Sequence, residues 1–225
     1  MRPATDADHV VLVSSRGNAC RFMPSEEKSR TDSTSGEVVT THVVRVQGRV
    51  SQGVSGMKLQ EGDRVIGMIV TDDFDTSVLT ISKFGMAKRS RLGSGEMISL
   101  LEDNGSEVLN EEGEVVMQRD GYRRTNRGTK GVRTMSLRDE DQIVSVRQIP
   151  DLEDQLFILT KTGMMIRMVS GQTKETLGKV TKGTRIMELR NLDRTGYDDA
   201  IIFVARLPAE LVDSSDADEA SFEEE

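Results

Sequence analysis

Hydrophobic positions fall into short runs that are separated by polar, glycine-containing stretches. Three of the runs are apolar and largely β-branched, at Val10–Val13, Val78–Ile81 and Leu156–Leu159. Each leads into one pattern: Ser or Thr, two residues, Gly, three residues, Arg. An apolar run, a glycine turn and a second alternating stretch predict a β-hairpin at each place.

A second pattern follows each hairpin. It begins at Arg49, Arg127 and Lys179 and consists of a base, one residue, Ser or Thr, Gln or Lys, and Gly, with Met and Leu four and six residues after that Gly. The alternation of its apolar positions predicts a half-buried strand. Another apolar stretch comes next in every copy and predicts one more strand.

The two patterns keep a fixed order and define three units, at about residues 10–70, 78–149 and 155–207. Repeats of this length with about four strands each predict radial or stacked β-sheets that cover one another. We therefore expect an all-β fold, a propeller-like disc of about three to four four-stranded blades, over residues 1–207. A degenerate fourth copy of the hairpin pattern could lie around Gly113, in residues 108–118.

Two stretches depart from the repeat. Residues 24–42 are rich in Ser and Thr and are expected to form a mobile loop within the first unit. Residues 92–122 form an acidic insertion in the second unit, and within it residues 95–104 are the one place where a helical period is conceivable.

Composition narrows the class of protein. The 225 residues are 36% hydrophobic and 4% aromatic with no Trp, so the core must be aliphatic. Cys20 is the single cysteine, which excludes an internal disulfide and fits a reducing cytosol. No apolar run approaches the ~20 residues that a membrane helix needs, and the first residues do not resemble a signal peptide. We expect a cytoplasmic protein without membrane contact.

Charge is distributed unevenly along the chain. The formal net charge is −8, but residues 208–225 hold eight acids and no base and are expected to form a disordered tail. The acidic insertion holds eight acids and one base, which leaves +7 on the remaining residues. A basic body with two acidic attachments indicates a polyanion-binding surface with an acidic competitor, although a solvated tail and loop would give the same composition.

The basic residues recur at equivalent positions of the repeat, and five of them crowd the stretch 123–133. In a radial arrangement, equivalent positions return at the same height and would form a positive belt on the rim. The candidate DNA-binding residues are Arg21, Arg49, Lys88, Arg89, Arg123, Arg124, Arg127, Lys130, Arg133, Arg167, Lys179 and Lys182.

Duplex DNA is the polyanion that suits such a belt. It presents one negative charge per ~1.7 Å of axis, and bases placed beside hydroxyls and glycine amides bind phosphate without reading sequence. The scarcity of aromatic residues disfavours a platform for single strands. The competing explanation is that Lys and Arg at exposed strand edges only discourage aggregation.

The repeat resembles the C-terminal domain found in the A subunit of bacterial DNA gyrase, and in its paralogue, the C subunit of topoisomerase IV. The resemblance runs from about Val10 to Leu207 and is strongest at GVSGMKLQEGDRVIGMIV, LFILTKTGMMIR and GYDDAIIFVARLP. It implies a β-pinwheel, a disc with strands exchanged between blades, usually five or six in number, that wraps DNA on its rim.

Membership of that family implies an accessory domain of an ATP-dependent type IIA topoisomerase in the bacterial cytoplasm, associated with the nucleoid. The implied partners are double-stranded DNA and the catalytic core, which comprises a breakage–reunion domain and an ATPase subunit. The family's hallmark box is Gln, Arg/Lys, Arg, Gly, Gly, Arg/Lys, Gly. The nearest match here is a degenerate box, of which the third, fourth, sixth and seventh residues fit: Thr125, Asn126, Arg127, Gly128, Thr129, Lys130 and Gly131.

An intact box goes with negative supercoiling in the family, so the choice between gyrase-like and topoisomerase-IV-like behaviour stays open. Neither Tyr122 nor Tyr197 has the sequence context of a DNA-cleaving tyrosine, and His9 and His42 join no ligand cluster. We expect no catalytic residue, cofactor or metal site on this chain. The alternative function is a β-propeller scaffold that binds a basic protein through its acidic insertion or tail.

Overall fold

The computed structural model describes residues 4–31, 33–34, 36–102, 104–176, 181–189 and 199–212. Within those ranges the regular elements are strands and two short 3-10 turns, and no α-helix occurs. The strands are β1 (His9–Ser14), β2 (Asn18–Phe22), β3 (Glu27–Thr31), β4 (Val38–His42), β5 (Val65–Thr71), β6 (Ser77–Ser82), β7 (Met86–Arg91), β8 (Met97–Ser99), β9 (Met117–Arg119), β10 (Val132–Arg133), β11 (Ile143–Ile149), β12 (Gln155–Thr160), β13 (Met165–Val169), β14 (Thr184–Arg185) and β15 (Ile201–Leu207).

The three predicted hairpins are confirmed. Strands β1 and β2, β6 and β7, and β12 and β13 pair antiparallel. Their turns are made by Gly17, Gly85 and Gly163, which have φ of 78°, 82° and 86°. Only glycine adopts such angles without steric cost, which explains why it recurs at this position of the repeat.

Strands are exchanged between neighbouring units. The short strand β10 belongs to the second unit but pairs with β2 of the first, with Val132 opposite Ala19. In the same way, β14 of the third unit pairs with β7 of the second, with Thr184 opposite Ala87. The second pattern of each unit therefore completes the sheet of the unit before it.

Three radial sheets result, in the strand orders β10–β2–β1–β5, β14–β7–β6–β11 and β13–β12–β15. We call them blades 1, 2 and 3. The all-β pinwheel architecture is confirmed, but blade boundaries do not coincide with unit boundaries. Blade 3 has three described strands where four were expected, because no described strand follows to cover β13.

The inner strands β5, β11 and β15 lie side by side and form the centre of the arc. Between blades 1 and 2 the core packs Val11, Val13 and Met135 with Val78 and Val146. Between blades 2 and 3 it packs Leu79, Ile81, Leu156 and Ile158 among others. The core is aliphatic, as the composition predicts.

Both departures from the repeat are β-structure. Residues 24–42 contain the β3–β4 hairpin, so the expected loop is wrong there. In the acidic insertion, β8 pairs with β9, and Leu109 bridges Val115 around a turn at Gly113. The expected helical period over 95–104 is therefore wrong, and the described residues of the insertion form a narrow ribbon without the four strands of a further blade.

The described structure continues past residue 207. A 3-10 turn spans Ala209–Leu211, and the Ala209 N–H donates to Asp154 Oδ1 at 3.0 Å. The first residues of the predicted tail are thus held against Asp154 of blade 3. Residues 213–225, which carry most of the predicted acidic tail, lie outside the described residues.

Candidate nucleic-acid interface

In the first two units, the arginine that follows the first glycine of the repeat is buried and joins neighbouring parts of the disc. Arg21 is 1% exposed, and its Nη1 donates to the carbonyls of Leu92, Gly93 and Tyr122 at 2.8–2.9 Å. Its Nε donates to His9 Nδ1 at 3.2 Å. The side chain thus binds blade 1 to the backbone that connects blade 2 with the acidic insertion.

Arg89 repeats this arrangement one blade on. It is 8% exposed, and its Nε donates to the Thr173 carbonyl at 2.9 Å. Its Nη1 lies 3.1 Å from Ser77 Oγ and 2.8 Å from Glu175 Oε2. The expectation that Arg21 and Arg89 sit on a DNA-binding rim is wrong, because both guanidinium groups are buried and hold protein acceptors.

Burial also sets the protonation of this interior. Desolvation, followed by the repulsion of Arg124, lowers the pKa of Arg21 to about 10. Desolvation and then the adjacent Arg21 charge lower the pKa of His9 to about 4. His9 is therefore neutral at pH 7 and can accept the Arg21 hydrogen bond.

The degenerate box folds over the outer edge of blade 1. The Thr125 N–H donates to the Arg21 carbonyl at 2.6 Å, and the Gly128 N–H donates to the Gly56 carbonyl at 2.9 Å. Arg127 donates through Nε to Val43 O at 2.8 Å and through Nη1 to Ser55 O at 2.6 Å. Two of the five N–H donors of Arg127 are therefore engaged by the protein, whereas the Lys130 side chain, three residues on, is exposed.

Beside the box, a basic cavity opens between blades 1 and 2. Its volume is about 30 Å³, and it lies between β7, the end of β9, and β10 with the chain that precedes it. Five of the residues that line it are cationic: Lys88, Arg91, Arg119, Arg123 and Arg133. The rest are neutral and include two hydroxyl-bearing threonines, Thr134 and Thr176. A cavity of this size holds roughly two or three water-sized groups.

The cations of the basic cavity differ in how far the protein neutralises them. Arg91 lies 2.6 Å from Asp75 and 3.8 Å from Asp120, and Arg119 donates to the Gly95 carbonyl at 2.6 Å. The exposed side chains of Arg123 and Arg133 make no hydrogen bond or ion pair within the described ranges. Two guanidinium groups thus keep their donors for an anion.

Lys88 forms the floor of the basic cavity. It is 3% exposed, and its Nζ donates to the Thr134 carbonyl at 2.6 Å. Desolvation lowers the pKa of Lys88 to about 8. The expectation of an exposed rim lysine is wrong here, but the charge lies directly beneath an opening that an oxyanion would enter.

The remaining predicted bases are dispersed. Arg49, Arg167 and Lys182 are exposed but do not line the basic cavity, and Arg124 lies 3.9 Å from Glu96. Lys179 lies outside the described residues. The structure therefore gathers Lys88, Arg123 and Arg133 into one place and does not place all twelve candidates on one belt.

Sequence reasoning missed Arg91 and Arg119. Arg91 has no equivalent in the repeat, and Arg119 was counted only as the single base of an acidic stretch. Its position in the sequence could have pointed to it, because Arg119 stands directly before Asp120 and Gly121, which lead into the five-base stretch.

Within the described part of the chain, no group of His, Cys, Asp and Glu could hold a metal ion. No described helix is long and apolar enough to span a bilayer.

Comparison with known proteins gives a consistent family assignment. The family model for "DNA gyrase C-terminal domain, beta-propeller" matches residues 38–72, 76–94, 115–150 and 154–207, together well over half of the chain. The DNA gyrase A subunit of Mycolicibacterium smegmatis is 28% identical over 219 residues, which is 95% of this chain and 20% of that protein. Its counterpart from Rickettsia bellii is 26% identical over 245 residues, 100% of this chain and 24% of that one. The chain thus spans about a fifth to a quarter of the length of these relatives.

Solved structures support the fold. The C-terminal domain of DNA topoisomerase IV aligns with a TM-score of 0.62 at 17% identity, over 96% of this chain and 51% of that one. The E. coli ParC C-terminal domain aligns with a TM-score of 0.55 at 16% identity, over 91% and 64%. Residues 95–114, the tip of the acidic insertion, lie outside the family match.

Proposed function

Since the chain belongs to the DNA gyrase C-terminal domain family, we propose that it binds duplex DNA without sequence preference and bends the duplex along its outer edge. In this role it is the accessory, non-catalytic module of a bacterial type IIA topoisomerase. It works in the cytoplasm on nucleoid DNA, and its catalytic partners are a breakage–reunion domain and an ATPase subunit.

The observation that carries this proposal is the basic cavity. Arg123 and Arg133 have free guanidinium donors at its mouth, and Lys88 supplies a third charge beneath them. Arginine forks match phosphate oxygens bidentately, and a desolvated lysine adds a strong point charge. Such contacts fix the position of a DNA backbone and carry no base information, which fits binding without sequence preference.

One phosphate site is not enough to bend DNA. Bending a site of 20–30 base pairs costs on the order of 1–6 kcal/mol, so further contacts must contribute binding free energy to offset it. The exposed Arg49, Arg124, Lys130 and Lys182 provide such contacts on the same blades. In this proposal the basic cavity makes the strongest phosphate contact, and these exposed side chains make weaker ones.

Charge reversal at the mouth of the basic cavity tests the proposal. Binding of a fluorescent duplex of mixed sequence is measured by anisotropy for Arg123→Glu/Arg133→Glu. The matched control is Arg138→Glu/Lys161→Glu, which changes the net charge equally at positions that do not line the cavity. We expect the first variant to lose at least about tenfold in affinity and its salt slope to fall by about 2, with the control close to wild type.

Equal losses in both variants would show that only net charge matters and would remove the basic cavity from the proposal. A wild-type affinity that does not change with salt concentration would contradict the proposal that the protein binds DNA through its phosphates. A closed circular plasmid, relaxed by a topoisomerase in the presence of the protein, then reports the sign of trapped writhe. That sign distinguishes gyrase-like from topoisomerase-IV-like wrapping.

One observation favours the scaffold function as a second candidate. Residues 95–114 of the acidic insertion lie outside the family match. The ribbon of the insertion exposes apolar side chains on both of its arms: Met97, Ile98, Leu101, Leu109 and Met117. Exposed apolar residues rimmed by acids suit a basic protein partner. Ile98→Ser/Leu101→Ser/Leu109→Ser should leave DNA binding unchanged, and it should abolish any binding of the topoisomerase core that the wild-type chain shows.

A further inference from the structure

A second cleft lies on the outer edge of blade 1, where the β3–β4 hairpin meets the degenerate box. Its volume is about 170 Å³, against about 30 Å³ for the basic cavity, and no residue lines both. We call it the hairpin cleft. Its lining residues come from the hairpin, from the residue that follows it and from the box: Lys28, Thr41, His42, Val43, Asn126 and Arg127.

The β3–β4 hairpin is not held in place by apolar burial. Every residue of β4 is exposed, and among the described strands β3 and β4 pair only with each other. A two-stranded hairpin of this kind is marginally stable on its own in water. Its contacts with the box are polar, since Lys28 Nζ donates to Asn126 Oδ1 and Arg127 Nε donates to the Val43 carbonyl at 2.8 Å. The hairpin is therefore positioned by hydrogen bonds to the box.

Hydrogen-bond donors line the hairpin cleft. Lys28 and Arg127 supply two positive charges, and three of the five N–H donors of Arg127 have no acceptor among the described residues. The Lys28 bond uses the amide oxygen of Asn126, which leaves the amide N–H groups of that side chain as donors. Thr41 lies directly opposite Lys28 in the strand ladder and adds a hydroxyl. The cleft thus gathers two cations and several neutral donors.

The histidine of the hairpin completes this lining. His42 Nδ1 donates to the Ser25 carbonyl at 2.9 Å, so Nε2 is the ring nitrogen that remains for a ligand. Glu27 lies directly opposite His42 in the ladder, but it does not line the cleft, and neither does any other acid. The charge of the lining residues is therefore positive without internal compensation.

Charge and size together indicate the ligand. A guanidinium and an ammonium beside amide and hydroxyl donors match the oxygens of a phosphate. A cavity of about 150 Å³ holds a benzene ring, so the hairpin cleft has room for a phosphate group and part of the sugar next to it. No aromatic ring of Phe, Tyr or Trp lines the cleft on which a base could stack. These features suit the backbone of a nucleic acid and not its bases.

The hairpin cleft and the basic cavity lie close together along the chain. Arg123 lines the cavity and Asn126 lines the cleft. Three residues separate them, so their Cα atoms are at most about 11 Å apart. One strand of duplex DNA advances ~3.4 Å along the axis for each phosphate. A single strand can therefore place one phosphate in each site, within about three phosphates of each other.

We propose that the hairpin cleft binds a second phosphate of the DNA strand whose backbone enters the basic cavity, and that Lys28 and Arg127 hold it. The proposal rests on the proposed function, because it takes duplex DNA as the ligand. Residues 1–37 lie outside the family match, so Lys28 is a contact that the family assignment does not supply. The hairpin then acts as a clamp that fixes the path of the backbone across blade 1.

Removal of one charge from the hairpin cleft tests the proposal. Duplex binding is measured by anisotropy for Lys28→Gln and for the matched control Lys161→Gln, an exposed lysine that lines neither site. We expect Lys28→Gln to weaken binding several-fold and to lower the salt slope by about 1, as the loss of one phosphate contact does. The control should bind as the wild type does.

A shortened hairpin separates the cleft from the tip of the hairpin. Lys28 and Thr41 are directly opposed, so residues 29–40 can be replaced by Asn-Gly, the sequence that favours a two-residue hairpin turn. This variant keeps the residues that line the cleft and should keep wild-type affinity. Lys28→Gln in the shortened chain should then cause the same loss as in the full chain.

Directed cleavage supplies a readout that does not depend on affinity. In a Cys20→Ser background, Lys28→Cys and Lys161→Cys are each labelled with an iron–EDTA reagent and mixed with duplex DNA. We expect strand cleavage from position 28 to be much stronger than from position 161. Cleavage that is no stronger from 28 than from 161 overturns the proposal.

The remaining outcomes separate this proposal from the proposed function. If Arg123→Glu/Arg133→Glu loses affinity while Lys28→Gln matches Lys161→Gln, the hairpin cleft is not a phosphate site and the proposed function stands. A wild-type chain that binds no duplex overturns both. A shortened hairpin that binds more weakly would move the contact to the tip, and one that binds more tightly would make the hairpin a cover over the box. Either result overturns the clamp.

Discussion

Gly131 lies so close to Ala19 that a Cβ on the glycine would come within 3.0 Å of the alanine carbonyl oxygen. Gly183 and Ala87 repeat the relationship one blade on. At these two points the backbone of one unit passes over the hairpin of the unit before it. The contact between two main chains is thus the joint between blades.

Gly131→Ala should therefore lower the free energy of unfolding far more than Gly53→Ala. Both glycines have positive φ, 73° and 78°, so the conformational cost of alanine, about 1 kcal/mol, is shared. Only Gly131→Ala adds a clash with a backbone atom, which β10 can relieve only by moving off β2. Urea unfolding of the two variants at low protein concentration measures the difference. Equal destabilisation would mean that β10 is not tightly docked.

Arg21→Met should destabilise the fold by about 3–5 kcal/mol or prevent folding, because three buried carbonyls each lose a hydrogen bond and only that of Leu92 keeps another donor, the Tyr122 N–H. Arg49→Met, at an exposed position, should leave stability within about 0.5 kcal/mol of wild type. DNA binding should show the opposite order, with folded Arg21 variants such as Arg21→Lys unaffected and Arg49→Met weakened. A stable Arg21→Met with weak DNA binding would restore Arg21 to the DNA interface.

Acid should destabilise the protein in two steps, the first of which belongs to His9. The pKa of His9 falls from 6.5 to about 4 on folding, so the unfolded chain takes up a proton at a pH at which the folded chain does not. Stability is then complete above about pH 6.5 and is lost as the pH falls towards 4, by up to about 3 kcal/mol. Asp63, Asp120 and Asp199, whose pKa values are lowered by hydrogen bonds that include backbone N–H donors, contribute a second loss below their unfolded pKa.

Chemical unfolding measured between pH 4 and 7 checks this prediction. His9→Gln keeps an acceptor for Arg21 and should abolish the first step, whereas His42→Gln, at an exposed histidine, should preserve it. An unchanged profile in His9→Gln would assign the acid sensitivity elsewhere.

DNA binding should take up protons near pH 8 if a phosphate occupies the basic cavity. Burial holds the pKa of Lys88 at about 8, and an anion above it stabilises the charged form. Affinity should therefore fall as the pH rises from 7 to 9. Titration calorimetry in buffers of different ionisation enthalpy counts the protons, and Lys88→Met should remove most of the uptake if it folds. The companion variant Arg133→Gln should weaken binding but keep the uptake.

Periodicity alone predicts the hairpins and the aliphatic core. The local pattern is strong there, since apolar runs end at a glycine whose positive φ the turn requires. The exchange of strands could not be derived in this way, because β10 and β14 are two residues long and their pairing depends on contacts across more than 90 residues of sequence. Only the family resemblance implied it.

The repeat also gave a wrong prediction for arginine. Equivalent positions share an environment, but the repeat does not say whether that environment is solvent or core. Alternation could not separate the two, because β2 is covered on both faces and Arg21 sits between Cys20 and Phe22, which are also buried. Local charge density did find Arg123 and Arg133, while Arg91 and Arg119 join them only through the folding of distant segments.

The exchange of β10 and β14 makes the blades interdependent. Removal of the third unit would also take the outer strand from blade 2, and removal of the second would strip blade 1. The second unit cannot unfold while blade 1 stays whole, and the third cannot unfold while blade 2 stays whole, so denaturation should be cooperative across the arc. A gene duplication that lengthens such a disc must add a donated strand and an acceptor edge in the same event. The segment that is duplicated is therefore the sequence repeat, whose boundaries differ from those of a blade.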